Sequence, residues 1–69
     1  MKINYDKSEF VAMVNDFVAD RGEEMEDLIV DDTKFEDGAW KAYAHDAKAA
    51  YVLFDDGTQN IEIDYLAAI

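Results

Sequence analysis

Asp56-Gly57 lies between two runs of strand formers, Tyr51-Val52-Leu53-Phe54 and Ile61-Glu62-Ile63-Asp64-Tyr65. Asp-Gly in that setting is a strong local signal for a tight β-hairpin, whose central residues need positive φ. With these two residues at the turn, Asp55 pairs with Thr58, Val52 with Ile61 and Ala50 with Ile63. That register puts Val52, Phe54, Ile61, Ile63 and Tyr65 on the core face. Tyr51, Leu53, Asn60, Glu62 and Asp64 then point outward. After Gly38, Trp40, Ala42 and Ala44 alternate with Lys41, Tyr43 and His45, a period of two. A three-residue loop around Ala47 aligns Trp40 and Ala42 with the same core face. The expected result is a three-stranded antiparallel meander. Met1 to Tyr5 alternates too and offers a fourth, edge strand.

Upstream of the meander the period is helical. Phe10, Val11, Val14, Phe17 and Val18 recur at spacings of three and four and form one apolar stripe. Asp6 as N-cap with Glu9 three residues later makes a variant capping box, and Gly22 is a natural C-terminal stop. From Glu23 to Asp32 a short helix is favoured. Met25, Leu28 and Ile29 share one face there, and acids at its start suit the positive end of the dipole. Leu28-Ile29-Val30 would also suit a short strand. The whole chain, residues 1–69, reads as a single α+β domain: one or two N-terminal helices packed on the meander.

Sixty-nine residues leave little room for a deep cleft. Hydrophobic residues are 51% of the chain, too many for a disordered acidic tail, though ten of them are alanine. The absence of cysteine removes disulfides and thiolate metal sites and fits a reducing compartment. Met1-Lys2-Ile3-Asn4 lacks the apolar run of a signal peptide, and no stretch approaches a membrane span. The expected location is cytoplasmic.

Catalysis needs groups whose surroundings separate their proton affinities within a water-excluding pocket. The carboxylates here fall mostly on outer faces, and His45 has no serine or second histidine beside it. No enzyme activity is expected, and no cofactor. A calcium loop of the helix–loop–helix type fails at either glycine: aligned on Gly57 it puts Val52, Phe54 and Ile63 at ligand positions, and aligned on Gly38, Thr33 and Phe35.

The net charge of −11 speaks against direct binding to nucleic acid or an anionic membrane and favours a basic partner. Its placement is uneven. Asp20, Glu23, Glu24, Glu26, Asp27, Asp31, Asp32, Glu36 and Asp37 are opposed in their segment only by Arg21 and Lys34, so that segment supplies −7 of the total. A ten-residue helix over 23–32 would be roughly 15 Å long. Its six acids approach the roughly nine phosphate charges on that length of duplex DNA.

A very short, cysteine-free, strongly acidic α+β chain with carboxylates gathered on one surface resembles the small DNA-mimic inhibitors encoded by phages, the anti-CRISPR proteins among them. The resemblance lies in overall character and carries no residue roles. It implies an inhibitor that occupies the DNA-binding groove of an RNA-guided defence complex or another basic DNA-binding protein. The nine clustered acids would supply steering and contact, extended by Asp55, Asp56, Glu62 and Asp64, with Tyr51 and Leu53 as apolar anchors. The alternative is a small interaction module (an antitoxin, adaptor or anti-restriction protein) that docks through the open sheet face as a monomer or homodimer.

Overall fold

A computed structural model describes residues 5–69. The apolar stripe becomes α1 (Lys7–Arg21). Its start is fixed by the expected capping box: the Asp6 side chain accepts from the Glu9 N–H at 2.9 Å, and the Glu9 carboxylate accepts from the Asp6 N–H at 3.4 Å. Gly22, at φ 58°, turns the chain out of the helix and sends its own N–H to the Ala19 carbonyl. Phe10 and Val14 are fully buried, and Phe17 and Val18 pack around them.

The architecture is α+β, with α1 on one face of a four-stranded antiparallel sheet in the order β1-β2-β3-β4. The strands are β1 (Ile29–Glu36), β2 (Ala39–His45), β3 (Ala49–Asp55) and β4 (Ile61–Ala68). The last three are the expected meander. The fourth strand comes from β1; the edge strand expected from Met1 to Tyr5 falls almost wholly outside the described residues.

The short helix expected over Glu23–Asp32 does not form. Gly22–Met25 makes a single 3-10 turn, Leu28 donates back to the Met25 carbonyl at 3.1 Å, and the chain is extended from Ile29. Once the outer edge of β2 is available, β-branched Ile29 and Val30 pair there with His45 and Ala44. That pairing outweighs the helical spacing of Met25, Leu28 and Ile29.

Two small residues of β2, Ala42 and Ala44, lie beneath the helix. Ala42, Ala44 and Ala49 are buried, and Ala42 and Ala44 join Phe10, Val14 and Leu53 in the core. Small side chains on β2 leave room for the large aromatic ring of Phe10, whose neighbours Tyr5 and Trp40 stack at 6.3 Å on either side. Trp40 anchors the approach to α1 by donating its indole N–H to the Tyr5 carbonyl at 3.2 Å.

The faces of β2 and β4 are as expected, except that Tyr65 is 63% exposed and adds little to the core, but β3 is turned over. His45 pairs with Ala50, so four residues, Asp46 to Ala49, join β2 to β3 instead of three. Asp55 pairs with Ile61, so five residues, Asp56 to Asn60, join β3 to β4 instead of two. Each loop is longer by an odd number, one and three, and an odd slip exchanges the faces of a strand. Leu53 therefore lies opposite Ala42 and Ile63 in the core, fully buried, while Val52 and Phe54 move to the open face. The two-residue hairpin occurs at Asp37-Gly38 instead, where φ values of 53° and 79° match a type I′ turn.

Side-chain hydrogen bonds explain why both loops are longer. Asp46 accepts from the N–H groups of Lys48 and Ala49 at 2.8 and 2.9 Å. Asp55 accepts from those of Gly57 and Gln59 at 2.7 and 3.0 Å, while its second oxygen accepts a hydrogen bond from the Tyr5 hydroxyl. Burial, and then the bond to Asp55, push the Tyr5 phenol well above its ordinary value, so it stays a donor. Asp55 is thus a buried structural carboxylate joining the β3–β4 loop to the entry of α1. Asp55→Ala is expected to lower stability by about 2–3 kcal/mol, because three donors lose their shared acceptor. Urea denaturation checks this, and a loss below about 0.5 kcal/mol would remove Asp55 from that role.

Candidate functional site

The acidic tract follows from which residues the core claims. Met25 and Leu28 are half-buried, Leu28 packing against the central cluster. Asp20, Glu23, Glu24, Glu26 and Asp27, around those two anchors, are all exposed. None of the five forms an ion pair among the described residues. The nearby cation, Arg21, lies over the Phe17 ring at 4.3 Å. Five carboxylates without an ion pair among the described residues therefore lie at the end of α1 and in the turn into β1.

Two further acids belong with them, and sequence reasoning had not included either. Asp46 shares a shallow recess with Glu23, Glu24 and Asp27, bordered by Leu28 and Lys48. Its hydrogen bonds from the Lys48 and Ala49 N–H groups hold its carboxyl below the usual range and keep it ionised. Asp16 stands one helical turn before Asp20, and both line an open recess with Gln59 and Asn60. The signals for these two were available: a turn-forming Asp between strands, and an i, i+4 acidic pair on the polar side of α1.

The other predicted acids are engaged locally. Asp31 sits at a β-bulge in β1 and meets His45 Nδ1 at 2.6 Å. Asp32 accepts from the Thr33 N–H at 2.9 Å and lies 3.7 Å from the Lys34 ammonium. Asp37 is 3.8 Å from Lys41. Glu36 accepts the Tyr43 hydroxyl at 2.6 Å, and that bond raises the Tyr43 phenol above its ordinary value. These acids follow an extended strand, at about 3.3 Å per residue, not one compact helix. The single phosphate-like array expected over 23–32 is therefore replaced by a dense cluster up to Asp27 and a dilute, partly neutralised row beyond it.

The two expected anchors are not on the open face. Leu53 is fully buried beneath α1. Tyr51 lies on the same side, half-buried in a recess with Met25, Leu28 and Ile63, its hydroxyl 3.3 Å from Asp46. Asp55 is buried, as described. Asp56 is exposed but accepts from the Thr58 N–H at 2.8 Å, so it shapes the loop. That hydroxyl-and-amide partnership with Thr58 holds its carboxyl below the usual range. Glu62 and Asp64 are exposed on the open face, as expected.

Among the described residues no three His, Cys, Asp or Glu side chains converge on a metal position. No described helix is long and apolar enough to cross a membrane. No protein-family model matches the chain, and neither a curated protein nor a solved structure matches it.

Proposed function

We propose that the protein occupies the positively charged nucleic-acid groove of another protein in place of DNA, its carboxylates standing in for phosphates, an anti-CRISPR type of inhibition. The observation that supports this best is the cluster Asp20, Glu23, Glu24, Glu26 and Asp27, exposed and without ion pairs among the described residues. Like charges so placed repel one another in the free protein. A basic groove relieves that repulsion and gains charge-assisted hydrogen bonds, so the surface is suited to a cationic partner. Asp46 and Asp16 extend the contact on either side. No cleft or catalytic group is required, only carboxylates on a rigid framework.

The alternative is an interaction module, an antitoxin or adaptor, docking through the open sheet face. Its support is the apolar group Tyr43, Val52 and Phe54 on that face, with Leu66 half exposed beside it.

Capture of a bacterial nucleic-acid-binding complex on the immobilised protein, with and without added duplex DNA, tests the first reading. Duplex DNA is expected to displace the bound complex, and raising salt should weaken the interaction steeply. A complex retained equally with and without DNA would remove the groove from the proposal and favour the sheet face.

A further inference from the structure

The sequence holds the Asp-Gly pair twice, as Asp37-Gly38 and Asp56-Gly57. At such a pair a chain can react with itself, because a Gly nitrogen has no Cβ beside it to hinder attack. The nitrogen bonds to Cγ of the preceding Asp and gives up its proton. The carboxyl hydroxyl leaves with that proton as water, and a five-membered cyclic imide results. Water then adds at the carbonyl that belonged to the Asp main chain, and the bond from that carbon to nitrogen breaks. The chain now runs through the former side chain as isoaspartate, with one more methylene in the backbone and the α-carboxylate as the branch. One water leaves and one returns, so no oxidant, cofactor or second protein takes part.

The first step requires an available amide nitrogen, an available carboxyl and torsions that can bring them together. At Asp56-Gly57 all three are tied down. The Gly57 N–H donates to Asp55 at 2.7 Å. The Asp56 carboxylate accepts from the Thr58 N–H at 2.8 Å and from the Thr58 hydroxyl. Either side of the peptide is pinned as well: the Asp56 N–H donates to the Asn60 carbonyl and the Gln59 N–H to Asp55, each at 3.0 Å. Only a protonated carboxyl carries a hydroxyl that can leave, and the Thr58 bonds hold the Asp56 carboxyl below the usual range.

At Asp37-Gly38 the described residues impose none of these ties. The Asp37 side chain is 93% exposed, and its contact is the Lys41 ammonium at 3.8 Å, a surface pair of the kind that contributes little. The Gly38 N–H makes no hydrogen bond among the described residues. A Cβ built on Gly38 would meet nothing within 4 Å, so the turn has open space in which to move. Asp37 also holds φ 53°, a region that residues other than Gly occupy at a cost, and rotation out of the turn returns part of it.

We propose that Asp37-Gly38 is a site of spontaneous isoaspartate formation in the folded protein, and that Asp56-Gly57, the same dipeptide, is protected by its hydrogen bonds. The consequence falls on the β1–β2 hairpin. Asp37 and Gly38 are the two central residues of the type I′ turn that closes the Glu36–Ala39 pair. An added backbone methylene does not fit a two-residue turn, so the pairing next to it, Phe35 with Trp40, loosens. The five acids of the cluster take no part, and the inference stands whether or not they bind a groove.

Ageing the purified chain for weeks at neutral pH, followed by proteolytic peptide mapping with mass spectrometry, is the test. Isoaspartate-containing peptides separate from their parents at equal mass and accept a methyl group from an isoaspartyl methyltransferase. Isoaspartate at position 37 should accumulate at least about tenfold faster than at position 56, because the bonds at Asp56-Gly57 must open first. In urea, where those bonds are lost, the two positions should react at comparable rates. Asp37→Asn and Asp56→Asn, which lose ammonia through the same imide, should keep the order seen in the folded chain, with far-UV circular dichroism establishing that both variants fold. Equal or faster reaction at position 56 of the folded chain overturns the proposal. So does a position 37 that stays intact in the folded chain while the unfolded chain reacts at both.

Discussion

Reversing Glu23, Glu24, Glu26 and Asp27 to Lys together is expected to abolish binding to a basic nucleic-acid groove while leaving the protein folded. All four are exposed and make no ion pair among the described residues, so the fold loses no observed ion pair when they change. Leu28, which packs the segment against the core, is untouched. The local charge changes by eight and attraction becomes repulsion. At about 1 kcal/mol per reversed contact, the loss in affinity is on the order of 10³-fold or more. Binding measured by titration calorimetry, with thermal unfolding as the control, decides it. Reversing Asp31, Asp32 and Asp37 instead should matter less, because His45, Lys34 and Lys41 already engage them. Affinity that survived the fourfold reversal would falsify the assignment of the site.

The second large effect concerns stability. Leu53→Ala should cost about 2–5 kcal/mol, the usual range for emptying a fully buried leucine position. A chain of this length holds only roughly 3–10 kcal/mol in total, so the variant is expected to be largely unfolded or close to it. Val52→Ala, one residue away on the opposite face and only half-buried, should cost about 1 kcal/mol or less. Urea denaturation of the two variants side by side measures the difference. Equal losses at both positions would contradict the assigned faces of β3. The comparison also separates folding from recognition, because the unrevised hairpin register would have made Leu53 an exposed anchor and Val52 a core residue.

Those two positions show where the sequence was legible and where it was not. The helix was readable because its signals are local: a spacing of three and four, an N-cap with its reciprocal Glu9, and a glycine stop. The alternation in β2 and β4 was equally plain, and Trp40, Ala42, Ala44, Ile61 and Ile63 do face the helix. In β3 every residue from Ala49 to Phe54 is apolar, so alternation could not tell its faces apart. Only the flanking loops could, and their lengths depend on how the Asp46 and Asp55 side chains bond to backbone N–H groups two to four residues on.

Residues 23 to 32 failed for a different reason. Their helical spacing was real but short, and a short helix is marginal without tertiary support. The free edge of β2 offered Ile29 and Val30 more. The consequence for the candidate site is direct: the acids before Ile29 remain a tight group, and those after it are drawn out beside lysine, histidine and tyrosine.

By itself the sequence determined an acidic α+β chain with one amphipathic helix before a meander, and it located most of the excess negative charge between Asp20 and Asp37. These properties follow from composition and from periodicity over a few residues. Tertiary structure decided which face of β3 is buried, that β1 is a strand, and which carboxylates have an ion-pair partner among the described residues. Those outcomes depend on pairing between segments distant along the chain, where an odd change in loop length exchanges inside for outside.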